Sequence, residues 1–111
     1  MKKAEQSRVV LVMCGTLREA RRIARRVVSK RLTACVNIVL SPAESFYTWK
    51  GKLESGREHL LIIKTTAIRL SQLEREVNRL HSYEVSEFLV VPVIAGSEQY
   101  LDWLGEATAA G

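Results

Sequence analysis

Few residues of this 111-residue chain are suited to chemistry, and most of them fall in two short segments. Cys14 closes the apolar run Val9-Val10-Leu11-Val12-Met13-Cys14 and stands just before a helix-start pattern. His81, Tyr83, Glu84 and Glu87 follow a second helical stripe far along the chain. A thiolate, an imidazole and a carboxylate together form a mixed soft and borderline ligand set, suited to copper or zinc. Drawn from two segments, they describe an open site, or one shared between subunits, and not a closed cage. Each residue also has a plainer reading. Cys14 is a small core residue at a strand end, His81 a helix C-cap or interface hydrogen-bonder, and Glu84 and Glu87 solvated or salt-bridged carboxylates.

Catalytic readings fare worse. A cysteine ahead of a helix N-terminus would be a lowered-pKa thiolate beside an anion site. The phosphatase-like spacing C-x5-R is missed, however: Arg18 stands at C-x3-R and Arg21 at C-x6-R. There is no G-x-S-x-G, and two histidines give little support to a triad. No C-x-x-C or C-x-x-H pair is present, which excludes a zinc knuckle. No catalytic residue is assigned, and the chain reads as a binding or assembly protein.

The elements that would position these groups follow from periodicity. Arg8 to Cys14 is a β-branched-rich apolar run, a strand buried on both faces. Thr16-Leu17-Arg18-Glu19 has the form of a capping box, and Ala20, Ile23, Ala24, Val27 and Val28 recur at helical spacing with arginines facing out. The period then drops to two over Ala34, Val36, Ile38 and Leu40, is interrupted at Pro42, and resumes through Ser45, Tyr47 and Trp49. Lys50-Gly51 fits a two-residue hairpin turn. The returning strand passes Gly56 and ends in the run His59 to Lys64. Leu70, Leu73, Val77 and Leu80 form one helical stripe, Phe88 to Ile94 another buried strand, and Gly96-Ser97 opens a third helix that stops by Gly105. The order β-α-β-β-α-β plus a terminal helix is the α+β, ferredoxin-like split βαβ sandwich, as a single domain over 8–106. Right-handed crossovers place the first strand inside the sheet and the second at an edge. Cys14, His81, Tyr83, Glu84 and Glu87 then converge at one end of the sheet. Cys35 lies roughly 20 Å away at ~3.3 Å per residue, too far for a disulfide with Cys14.

The hairpin implies an oligomer. From Ala34 to Trp49 the chain is about three times the usual strand length of ~5–6 residues. The surplus would project Phe46, Tyr47 and Trp49 into water beside open strand edges, an arrangement a neighbouring subunit would bury.

Composition narrows the rest. No apolar run approaches the ~20 residues of a membrane span. Met1 to Ser7 carries two lysines but no apolar stretch of a secretion signal. With two cysteines expected to be free thiols, the expected compartment is the cytoplasm. The net charge is +5, and seven basic residues lie between Arg18 and Arg31. These read first as the solvated face of an amphipathic helix. The central strands lack the aromatic residues that stack RNA bases on this architecture, so nucleic acid is not an expected partner.

Five spaced segments resemble one family. Arg31-Leu32-Thr33-Ala34-Cys35-Val36-Asn37-Ile38 is similar to the RLAACVN segment of the CutA divalent-cation tolerance proteins. Tyr47-x-Trp49-x-Gly51-Lys52-x-Glu54 resembles their YxWxGKxE hairpin, and Lys64-Thr65 their KT. His81-x-Tyr83-Glu84-Val85 resembles their HPYEV, and Tyr100-Leu101-x-Trp103 their YLxW. The resemblance runs from about Val9 to Glu106. It implies a ferredoxin-like subunit in a tight homotrimer built by the long hairpins, with Phe46, Tyr47, Trp49 and Trp103 at the interface. It also implies tolerance of divalent metal ions, with Cys14 and His81 at positions implicated in copper binding and Glu84 or Glu87 assisting. The family's trimer is similar to that of PII signalling proteins, which implies an alternative role as a regulator binding a small anionic ligand or a partner protein. A purely structural trimer is a third reading. Ser82 stands where the motif has proline, a change expected to loosen the loop presenting His81.

Overall fold

The computed structural model describes residues 1–109. Its elements in chain order are β1 (Lys2–Lys3), β2 (Ser7–Cys14), α1 (Leu17–Ser29), β3 (Cys35–Ile38), β4 (Ala43–Trp49), β5 (Lys52–Thr66), α2 (Leu70–Leu80), β6 (Leu89–Pro92), β7 (Ala95–Gly96) and α3 (Glu98–Ala107). A five-stranded antiparallel sheet runs β3-β5-β2-β6, and β4 pairs with the outer half of β5. The expected α+β, ferredoxin-like arrangement is present, with the first long strand inside and β3 at an edge.

Each boundary has a local cause. Thr16 caps α1, its hydroxyl accepting the Glu19 N–H at 3.1 Å. Ser97 does the same for α3 through Tyr100 N–H. Lys50 and Gly51 both take positive φ, 51° and 78°, which matches the twist of a two-residue hairpin turn and brings Trp49 opposite Lys52. Gly105 does not end α3, which continues to Ala107. Beyond it, the backbone carbonyls of Glu106 and Ala107 accept from the Arg31 guanidinium, and those of Thr108 and Ala109 from Arg69. A cation at a helix C-terminus satisfies orphaned carbonyls and opposes the dipole.

The long arm is β5, 15 residues in one strand. Its partner is broken: β3 follows the inner half, β4 the outer half, and the chain between Ile38 and Ala43 leaves the ladder around Pro42. The hairpin stretches the molecule to 45 Å against 26 and 24 Å in the other directions.

The core lies on one face of the sheet. Val10, Val12 and Cys14 of β2 and Leu61 and Ile63 of β5 point at Ala20, Ile23 and Val27 of α1 and Leu73, Val77 and Leu80 of α2. The alternate residues Val9, Leu11 and Met13, with Leu60 and Ile62 beside them, are only half-buried. The expectation that β2 is buried on both faces therefore fails within one chain, because α1 and α2 cover a single face. Strand β6 departs further. Expected to be buried and to reach Ile94, it ends at Pro92 and is exposed throughout, with Leu89 55% exposed. Proline offers no N–H to extend the ladder. Beyond it the Val93 N–H still donates to the Ser7 carbonyl at 3.4 Å, and β7 then pairs with β1, a contact absent from the sequence reading.

Candidate metal centre

Three side chains meet where β2 gives way to α1. Cys14 is the last residue of β2, Glu19 lies in the first turn of α1, and His81 is the C-cap of α2. One ligand atom from each lies within 4.8 Å of the other two. Cys14 Sγ is 3.9 Å from His81 Nε2, and His81 Nδ1 is 4.0 Å from a Glu19 carboxylate oxygen. Cys14 is fully buried and His81 nearly so. The sequence-based expectation thus brings Cys14 and His81 together as drawn, with a different carboxylate.

That carboxylate, Glu19, was hidden by a second role. In a capping box the acid at this position folds back onto the N-cap backbone. Here it reaches the other way and accepts from the Ser82 N–H at 2.6 Å and the Ser82 hydroxyl at 3.2 Å. A proline at position 82 could not donate that N–H, so Ser82 anchors the loop; the expected loosening is not what the structure shows. The signal for Glu19 was its position in the first helical turn after Cys14, which holds the carboxylate near the strand end.

Glu84 and Glu87 do not join the cluster. Past His81 the chain runs outward, and both line a cleft of about 680 Å³ against the hairpin, with Phe46, Tyr47, Trp49, Glu54 and Glu58. Partial burial and the Glu58 charge raise the Glu87 carboxyl above its ordinary value. Tyr83 also lines this cleft, its phenol pushed up to about 12 by burial and then by Glu58. Its ring sits 4.6 Å from that of His81, and its hydroxyl lies where a Cβ at Gly15 would meet it at 3.0 Å. Trp103 lies apart from the cleft on α3, against Tyr100 at 5.4 Å between centroids.

Hydrogen bonds fix the proton of His81. The Tyr83 backbone N–H donates to Nδ1 at 3.1 Å, so Nδ1 carries the lone pair. Nε2 carries the hydrogen and donates it to the Met13 carbonyl at 2.7 Å. Burial, followed by the nearby Glu19 and Glu58 charges, pushes the Cys14 thiol up to about 12. It is therefore protonated at neutral pH. Burial and the two carboxylates thus act against the lowered-pKa nucleophile considered from the sequence. Cys35, the other free cysteine, lies on β3 opposite Lys64.

The donor set fits a metal. Sulfur, imidazole nitrogen and carboxylate oxygen are the ligand types of copper and zinc sites. With one ring nitrogen of His81 the three ligand atoms lie within 4.8 Å of one another, against roughly 3.5 Å between neighbouring ligands in a tetrahedral site with ~2.0–2.3 Å bonds. His81 would have to release Met13 to offer Nε2.

Comparisons with known proteins agree on one grouping. A family model described as CutA1 divalent ion tolerance protein matches residues 8–107. A divalent-cation tolerance protein CutA from Thermus thermophilus is 42% identical over 100 residues, covering 90% of this chain and 96% of that protein. One from Archaeoglobus fulgidus is 37% identical, covering 87% and 93%. A chloroplastic CutA protein of Arabidopsis thaliana is 42% identical over 106 residues, and the chain spans 58% of its length. Among solved structures, the Thermus thermophilus divalent cation tolerance protein superposes with a TM-score of 0.90 at 41% identity, over 93% of this chain and 99% of that one.

Proposed function

We propose, on the premise that this chain belongs to the CutA1 divalent ion tolerance family, that it is a homotrimeric cytoplasmic protein holding copper through Cys14 and His81, with Glu19 as the third ligand. Zinc or another divalent cation is the alternative occupant. The observation that carries this reading is the convergence of the three side chains within 4.8 Å at a buried strand end. Glu19 replaces Glu84 and Glu87 in the proposed ligand set. The chain's own groups set the conditions of binding. Cys14 must lose its proton, His81 must free Nε2 from Met13, and Glu19 must share its oxygens with Ser82. Uptake therefore falls as pH falls.

The assembly rests on surface left open by one chain. Beside the half-buried second face of the sheet, Leu89 and Val91 of β6 are exposed, and on the hairpin so are Phe46, Tyr47 and Trp49. Large apolar side chains left exposed on both elements favour a protein contact. Three copies is the assembly the family resemblance implies. Two free cysteines suit a reducing compartment, and no helix among the described residues is long and apolar enough to cross a membrane. The alternative is a regulator taking a small anion in a cleft between subunits; the cleft beside the hairpin, on one chain, carries four carboxylates, Glu54, Glu58, Glu84 and Glu87. They repel an anion.

The test is a competition titration of reduced, metal-free protein with Cu(I), Cu(II) and Zn(II), beside a Cys14→Ser/His81→Ala variant. One tightly held metal per subunit in the parent, lost in the variant, supports the reading. Equal behaviour of the two proteins refutes it.

A further inference from the structure

The helical face of the molecule carries charge that the metal site does not use. Arg22, Arg25, Arg26, Ser29, Arg79 and Leu80 line a groove of about 580 Å³ between α1 and α2. Four guanidinium groups and a hydroxyl face it, with no acid among its lining residues. Glu76 lies behind the groove, only 9% exposed, and pairs with Arg26, Lys30 and Arg79. Arg22 and Arg25 have no carboxylate partner among the described residues. Three cations thus share one anion, and two more on the groove have none. Arg22 stands three and four residues from Arg25 and Arg26, spacings at which like charges on a helix repel. A bound anion would relieve that repulsion.

Glu76 also organises the groove. It fixes one guanidinium from each helix, Arg26 of α1 and Arg79 of α2, before any ligand arrives. Groups already held in place lose less freedom on binding. Planar guanidinium forks match phosphate oxygens two at a time. Leu80 is the sole apolar residue of the lining and no aromatic ring is present, so a base has nothing to stack on. Recognition would act through phosphate charge. Arg26 and Arg79 come from different helices yet share one carboxylate oxygen of Glu76, so their charges sit close together, which suits a compact anion over a duplex.

We infer that the α1–α2 groove binds a compact oligophosphate, two or more linked phosphates either free or as the tail of a nucleotide. This does not depend on the metal site, whose ligands lie outside the groove.

Calorimetric titration of the full chain, in chelator and at low salt, tests it with sodium tripolyphosphate, pyrophosphate, orthophosphate, ATP, GTP and a short RNA duplex. Tripolyphosphate should bind once per subunit, at least about tenfold tighter than orthophosphate, and weaken steeply with added salt. ATP and GTP should bind alike. Affinity of ATP above that of tripolyphosphate would assign the nucleotide as the source, and the reverse order the free polyphosphate; both keep the site. An Arg22→Gln/Arg25→Gln variant, which leaves the Glu76 cluster intact, should lose at least about tenfold. A Lys3→Gln/Lys52→Gln variant, with the same charge removed elsewhere, should stay within about twofold of the parent by the same reasoning. The inference is overturned by no binding of tripolyphosphate or ATP, by equal losses in the two variants, or by binding confined to the RNA duplex.

Discussion

Replacing His81 with phenylalanine separates the structural work of this side chain from its proposed work on metal. Phenylalanine keeps a ring in the nearly buried site but removes both hydrogen bonds. The Met13 carbonyl loses its donor, and an unsatisfied buried acceptor costs about 1–3 kcal/mol. The Tyr83 N–H loses its acceptor, but Tyr83 is exposed enough for water to replace it, so that loss is about 0.5–1 kcal/mol. The sum is about 1.5–4 kcal/mol, towards the upper end of what single substitutions cost. The assay is urea unfolding in chelator at matched subunit concentration, since an oligomer's stability depends on concentration. A loss below about 0.5 kcal/mol would refute the reasoning, because it would mean that the two bonds do not hold the loop to β2.

Three further outcomes follow from particular contacts. Arg79, then Arg26 and Lys30, hold the Glu76 carboxyl down to about 2 from its ordinary 4.5. Its contribution is thus present above pH 4.5 and lost as pH falls towards 2, so Glu76→Gln should flatten stability over that window; an unchanged acid limb would contradict this. Leu89→Glu should leave the isolated subunit folded, since Leu89 is already 55% exposed, while breaking the assembly. Light scattering should then give the 12.5 kDa of one chain where the parent gives three times that, and an intact variant assembly would remove β6 from the interface. Lys50→Asn should raise stability by about 0.5 kcal/mol, because asparagine tolerates the positive φ at that turn position better than lysine; a lower melting temperature would argue against the turn assignment.

Much of the fold was legible because its signals are local. The stripe Leu70, Leu73, Val77 and Leu80 marks α2, the Thr16 cap marks the start of α1, and Lys50-Gly51 marks the hairpin tip. The meeting of Cys14 with His81 was legible from topology, since β2 and α2 finish at the same end of the sheet. Glu19 was not, because one carboxylate position serves equally well as a cap and as a tether for Ser82, and only the path of the loop decides. That same path carries Glu84 and Glu87 to the hairpin cleft. The β1–β7 pair was illegible for another reason: Lys2 and Lys3 carry no apolar period, and Lys2 is tied by Asp102 from α3, a hundred residues away. The exposure of β6 was misread because a run such as Leu89-Val90-Val91 looks the same whether or not a layer of its own chain covers it.

The central claim is that Cys14, Glu19 and His81 hold one metal ion, and X-ray absorption of the metal-loaded protein examines it most directly. With zinc, the account predicts one sulfur at about 2.3 Å together with nitrogen and oxygen at about 2.0–2.2 Å, the sulfur shell vanishing in Cys14→Ser. A zinc or copper shell of nitrogen and oxygen alone in the parent protein would contradict it.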